Sequence, residues 1–245
     1  MINLRTLAIV IQIRHITKVY QVLMSKILDV RSIIKLAKKH GKNPFCPRDE
    51  LIIALVGLAY FNATELSLIR VKDIITERNS IKLDGYLPSD LGVNSFERYV
   101  FIGKETYLKD CIEKYISWRK ENSFDCLDRN LYCGLNPESR LLLRNDGSDF
   151  EINYKKREAK DESATLMHPQ QMQRLVKSYF LGEGVSIVSL LDSFIANYWN
   201  VKSQQGTTQA IRDLMEMTGL TAETLRKKCT RKQDSIQDIL VSLYK

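Results

Sequence analysis

Three sets of side chains in this 245-residue sequence have the types and spacing to do chemistry. The first is the segment HPQQMQRLVKSYF, where His168, Gln170, Gln171, Gln173 and Arg174 crowd the opening turns of a predicted helix and Lys177 follows. A Gln amide can pair bidentately with adenine and an Arg guanidinium with guanine, so this face suits base readout. An ordinary polar helix face, with His168 a plain first-turn surface residue, is the alternative. The second set is basic: Lys35, Lys38, Lys39 and Lys42; then Lys155, Lys156 and Arg157; then Arg226, Lys227 and Lys228. Each cluster alone could be a solvated face, but together they suit a polyanion. The third set is the tyrosines Tyr198 and Tyr244, whose hydroxyls could attack a phosphate only beside a pair of Arg, and which without one are read as core or surface residues.

Other chemistries lack their residues. Five Cys are scattered without a C-x-x-C pair and His numbers three, so no metal site or cofactor is expected. An odd Cys count suits a reducing compartment, which predicts a cytoplasmic protein, associated with the nucleoid when on DNA. No apolar run reaches the about 20 residues needed to span a membrane. Leu7 to Ile13 are closely bracketed by Arg5, Arg14 and His15, unlike a signal peptide. Residues 1–23 are either part of the fold or an extension ahead of an alternative start at Met24. The formal net charge is +8, and it is uneven. Residues 1–48 hold ten Lys or Arg against Asp29 alone, whereas the remainder carries 27 bases and 28 acids.

Periodicity predicts the elements that position these groups. Ile27, Val30, Ile33, Ile34 and Ala37 mark an amphipathic basic helix over 25–40, stopped by Gly41. Pro47 opens a second helix whose nearly continuous apolar run, Leu51 to Tyr60, predicts burial on most sides. Another helix starts near Ala63. β-branched and aromatic residues at 74–75, 81–83 and 99–102 predict a small antiparallel sheet with an irregular excursion over 86–95. A helix over 105–120 follows. A loop-rich stretch, 121–165, contains a short strand at 140–143 and the turn Asn145-Asp146-Gly147. Helices are then expected near 168–181, 187–200, 207–218 and 221–243. The class is mainly α with a small antiparallel β-sheet.

The order of these elements resembles the catalytic domain of tyrosine recombinases, the phage integrase family. PRDELIIALVGLAYFNATELSLIRVKDI is similar to the family's Pro-led buried helix running into Gly-Leu-Arg-x-x-Glu-Leu and Leu-x-x-x-Asp-Ile; Glu65-Leu66, Leu68 and Asp73-Ile74 match. ERYVFI at 97–102 resembles its Glu-Arg-x-Val-Pro-Leu strand, and LLLRNDG at 141–147 the next strand and turn. LLDSFIA at 190–196 and IRDLMEMTGLTAETLRKKC at 211–229 fall where the family has its Leu-Arg-His-Thr-Phe-Ala, Leu-Gly-His and nucleophile segments.

That family surrounds one phosphate with two Arg, a His or Trp, a Lys and a His, and attacks it with Tyr. The resemblance places Asn62 at the first Arg and Val93 near the hairpin Lys. Val188 and Leu191 occupy the His-x-x-Arg positions, with Asp192 at the following His. Met217 replaces the third His or Trp, and Arg226 the Tyr. Losing one such charge-stabilising donor typically lowers a rate by about 10²–10³, and here all are replaced. The expectation is a non-enzyme.

DNA binding does not need those groups. The resemblance implies that the 168–180 helix enters the major groove, and that Lys35, Lys38, Lys39 and Lys42 follow the backbone. Asn62, Arg98, Lys155, Lys156, Arg157 and Arg226 to Lys228 are expected to line the remaining contact surface. Residues 45–245 would form the recombinase-like domain and 1–44 a basic arm, in place of the family's helical core-binding domain. The expected partner is double-stranded DNA, in a bacterium, phage or mobile element. The alternative is a module that pairs, through its C-terminal helix, with itself or an active recombinase or transposition protein.

Overall fold

The computed structural model describes residues 26–42, 47–91, 97–103, 106–156, 165–180 and 184–229. The first helix, α1 (Val30–His40), is set by Asp29, whose carboxylate accepts from Ser32 N at 2.7 Å. Lys38, Lys39 and His40 sit in its last turn, where cations complement the helix dipole. Ile33, Leu36 and Ala37 form its buried stripe, and the stripe packs on α2 (Arg48–Ala59). The residue before its cap is also anchored, since Leu28 N donates to Ser193 Oγ at 2.8 Å and Asn197 donates to Leu28 O at 2.9 Å. The basic helix is therefore built into the core rather than projecting from it.

Helix α2 is apolar on all sides because it is enclosed on all sides; Leu51 to Val56 are fully buried. Gly57 lets α1 approach closely. A Cβ there would lie 2.6 Å from Ile33 Cγ2, a branched methyl in a fully buried side chain that cannot swing aside. Gly57→Ala should thus lower stability by about 1–2 kcal/mol, overpacking outweighing the better helix propensity of Ala. Urea unfolding with an unchanged denaturant slope would show it.

Tyr60 ends α2 in a left-handed conformation, φ 61°. The chain then enters α3 (Ala63–Leu68) through a capping box: Asn62 Oδ1 accepts from Thr64 N and Glu65 N, while Glu65 Oε2 accepts from Asn62 N. A single turn, α4 (Val71–Ile74), leads to β1 (Asp84–Leu87), which pairs antiparallel with β2 (Arg98–Phe101) in the register Asp84 to Phe101. Helix α5 (Tyr107–Glu121) lies against α2.

The strand expected at 140–143 is reduced to the isolated bridges Arg70–Arg140 and Leu143–Asp149. Side chains take the places of a neighbouring strand. Fully buried Arg119 donates to the carbonyls of Arg140 (2.8 Å) and Leu141 (3.2 Å), and Tyr115 OH accepts from Leu143 N at 2.9 Å. Conversely, the stretch expected to be loop-rich contains a hairpin, β3 (Asn153–Lys156) with β4 (Thr165–His168), in the register Asn153 to His168.

Four further helices follow: α6 (Gln170–Tyr179), α7 (Ile187–Lys202), α8 (Thr207–Thr218) and α9 (Ala222–Cys229). Helix α6 starts at Gln170 instead of His168 because His168 pairs in β4 and Pro169 takes the cap position. The main core joins α1, α2, α5 and the buried face of α6. A smaller core, Ile195, Ile211, Leu214, Met217 and Leu225, holds α7, α8 and α9 together. The remainder of the helix expected over 221–243 lies outside the described residues.

Candidate nucleic-acid interface

Of the positions that the resemblance aligns with a phosphate-cleaving centre, Asn62, Asp192 and Met217 lie where α2 ends, α3 begins, and β2, α7, α8 and α9 meet. Arg98 on β2 is almost wholly buried here. Its Nε and Nη2 reach the two Glu65 oxygens at 2.5 and 2.8 Å, and Nη1 donates to Met217 O at 3.0 Å. Its guanidinium also lies 4.9 Å over the Phe61 ring. Arg98 thus ties β2 to α3 and α8 from inside, and does not present its charge at the surface. Asn62 is half-buried with its side-chain oxygen capping α3.

Asp192 on α7 is buried, and Lys228 on α9 donates to its carboxylate. Tyr60 stands beside them, its hydroxyl pKa pushed up to about 12 by burial and then by the Asp192 charge. Met217 is buried, Leu191 half-buried, and Val188 exposed on the first turn of α7. Val93 lies outside the described residues. A phosphate placed in this corner would meet a buried carboxylate already matched to one Lys. Arg226 is exposed on α9, and Lys227 beside it pairs with Glu223 at 2.6 Å, both highly exposed. Tyr198 braces α7 against α8: its hydroxyl donates to Asp213 at 2.8 Å, and burial raises its pKa well above the usual phenol value. Among the described residues no group of His, Cys, Asp and Glu could hold a metal ion, and no helix is long and apolar enough to cross a membrane.

The other basic residues expected to meet DNA lie elsewhere. Lys35, Lys38 and Lys39 are exposed on α1 at spacings of three and four, which places them on one helix face, and Lys42 is exposed just beyond. Lys38 Nζ also lies 5.4 Å over the Tyr107 ring. The C-terminal ends of α1 and α6 meet, with the His40 and Tyr179 rings 5.3 Å apart. On α6, Gln173, Arg174 and Lys177 are exposed opposite the buried Met172, Val176 and Tyr179. Lys155 and Lys156 lie in β3, and Arg157 lies outside the described residues.

Two of the expected base-reading amides have internal partners. Gln171 Oε1 accepts from Glu151 N at 3.0 Å while its Nε2 donates to Glu151 Oε2 at 2.9 Å. Gln170 Oε1 accepts from Asn153 at 3.4 Å. These amides lock the foot of the β3–β4 hairpin onto the first turn of α6. Half-buried His168 ends β4 in the same region. Arg144, a cation the sequence reading does not single out, is exposed and lines a groove together with Arg174. Its signal was present, as the residue opening the Asn-Asp-Gly turn next to the helix.

No protein-family profile matches the chain, and no curated protein matches it. Solved structures do. The XerA recombinase aligns over 90% of this chain and 64% of its own, with a TM-score of 0.53 and 12% identity. The site-specific recombinase XerH, solved bound to palindromic difH substrate in a post-cleavage complex, aligns over 89% of this chain and 53% of its own, with a TM-score of 0.50 and 12% identity. The chain therefore spans less than two thirds of the length of either. Mainly helical with small antiparallel sheets, it has the fold of a tyrosine-recombinase catalytic domain.

Proposed function

We propose that the protein binds double-stranded DNA through α1 and α6 without cutting it. Its role would be that of a repressor, a target-site selector or an accessory factor of a mobile element, in the cytoplasm and on the nucleoid. The observation that carries the reading is the exposed Lys35, Lys38 and Lys39 on one face of α1, together with the exposed Gln173, Arg174 and Lys177 of α6, a helix whose C-terminal end meets that of α1. XerH, which shares the fold, is a site-specific recombinase solved bound to palindromic difH substrate. Phosphate contacts of this kind need only cations and geometry, not a catalytic centre.

Absence of cleavage is supported by the Asp192–Lys228 pair and the internal engagement of Arg98. An associative attack on phosphorus builds negative charge, which a buried carboxylate opposes. A nicked suicide duplex should therefore accumulate no covalent protein–DNA adduct in a denaturing gel. An adduct abolished by Tyr198→Phe or Tyr244→Phe would show an active enzyme instead.

A second reading, a protein-interaction module pairing with a recombinase or transposition protein, is favoured by the near balance of 27 bases and 28 acids after residue 48. Salt separates the two. Phosphate contacts make log K fall steeply with log salt, whereas an apolar protein interface scarcely responds.

A further inference from the structure

A concave cationic surface lies beside α6, away from the corner aligned with cleavage. It is a groove of roughly 550 Å³ between the turn at 144–150 and the first turns of α6. Arg144 and Arg174 stand on its walls, and Arg48 and Phe150 contribute to its base, the guanidinium 5.6 Å over the ring. Arg48 is internally engaged, with Nη1 donating to Leu143 O at 3.2 Å and Nη2 paired with Asp49 at 2.8 Å. Arg174 is exposed and makes no hydrogen bond or ion pair among the described residues.

Arg144 is held loosely. Its Nη1 is 3.3 Å from Ser148 Oγ and its Nη2 is 3.7 Å from Asp146 Oδ2. Asp146 has better partners, accepting from Ser148 N at 3.1 Å and Ser148 Oγ at 2.6 Å, and these hydrogen bonds hold its carboxyl below the usual carboxylate pKa. An incoming anion can therefore take Arg144 without stranding Asp146.

The two walls are fixed to each other. Arg144 N donates to Ser148 O at 2.8 Å and Gly147 N to Arg144 O at 3.0 Å, with Gly147 at φ 80°, where a side chain would be strained. The two-point hydrogen bond between Gln171 and Glu151 then clamps the segment after the turn to α6. The groove is open to solvent and is lined both by Arg174, without a partner among the described residues, and by the weakly paired Arg144. That lining fits a phosphodiester approaching from outside, with two guanidinium groups available to it.

We infer that this groove is a backbone-phosphate subsite of the DNA interface, in which Arg144 and Arg174 are the cationic contacts. The inference rests on the DNA-binding reading above and adds to it a contact on the turn before the β3–β4 hairpin.

The test uses the full chain and a fluorescent duplex of mixed sequence, with binding followed by anisotropy over a salt series. Arg144→Gln and Arg174→Gln keep hydrogen-bonding capacity while removing charge. Each should lower the slope of log K against log salt by about one and weaken binding roughly eightfold near 0.1 M salt. The double variant should lose about two units of slope. Lys120→Gln, on a different groove, serves as the control and should leave the slope unchanged. Circular-dichroism melts of all variants should superpose, and Arg144→Lys should restore the slope because it restores the charge.

Wild-type binding with a steep slope that neither Arg variant alters would overturn the subsite while leaving the DNA reading intact. No salt-dependent binding by the wild type would overturn both. Inorganic phosphate, titrated at constant ionic strength, should not displace the duplex, because one phosphate gains no adjoining contacts. Displacement by millimolar phosphate would overturn the assignment and make the groove a free-anion site.

Discussion

Arg98→Ala should lower folding stability by about 3–5 kcal/mol, a large share of the roughly 5–15 kcal/mol typical of a domain. The side chains of Arg98 and Glu65 are 6% and 3% exposed, so neither charge can be rescued by water once the other is removed. Among the described residues, the truncation leaves the Glu65 carboxylate with the Asn62 N–H as its remaining donor. It also leaves Met217 O, near the C-terminal end of α8, without the Arg98 donor. Three elements distant in sequence therefore loosen together, and Arg98→Lys should rescue little because an ammonium cannot reproduce the paired contacts. Chemical unfolding of the wild type and both variants measures this. A loss under about 1 kcal/mol would mean that the buried pair is not a fastener of the fold.

The second large effect concerns DNA. Replacing Lys35, Lys38, Lys39 and Lys42 together by Ala should reduce affinity for every duplex alike, by about 10³-fold near 0.1 M salt if all four meet phosphates. The salt slope should fall by nearly four units, at about 0.9 per contact. Ala has the higher helix propensity, and these side chains are exposed, so α1 should keep its structure. Loss of the Lys38 contact with the Tyr107 ring is expected to be felt in stability, by about 0.5–1 kcal/mol. Anisotropy titrations of two unrelated duplexes provide the readout. An affinity loss confined to one sequence would contradict backbone tracking by α1.

Much of this arrangement is written locally. The period of Ile33, Leu36 and Ala37, the unbroken apolar run of α2, and Asn62 with Glu65 three residues on each imply their elements without distant partners. The resemblance to tyrosine recombinases, carried by short motifs in a shared order, points to a fold that the similarity to XerA and XerH supports. What escapes a reading of the sequence depends on side chains far apart along the chain. The segment 140–143 has strand composition, yet Arg119 and Tyr115 satisfy the backbone groups that would otherwise seek a strand. The β3–β4 hairpin gives little strand signal because its strands are four residues each and a charged stretch separates them.

The candidate site is legible in outline and not in detail. Charge and composition single out α1 and α6, and their exposed Lys35, Lys38, Lys39, Arg174 and Lys177 fit that reading. Residue type does not tell a base-reading amide from a structural one: Gln171 faces Glu151, 20 positions away. Nor does it tell a surface Arg from a buried one, since Arg98 meets Glu65 across 33 positions. The Asp192–Lys228 contact spans 36 positions and has no local signal.

The most direct test of the central claim is binding of the intact protein to a fragment library of its source genome, at low and physiological salt, with sequencing of the recovered DNA. The account predicts enrichment of one motif that survives physiological salt, with the recovered duplexes uncut. Binding that is uniform across fragments and vanishes as salt rises would contradict it, reducing the basic helices to generic charge.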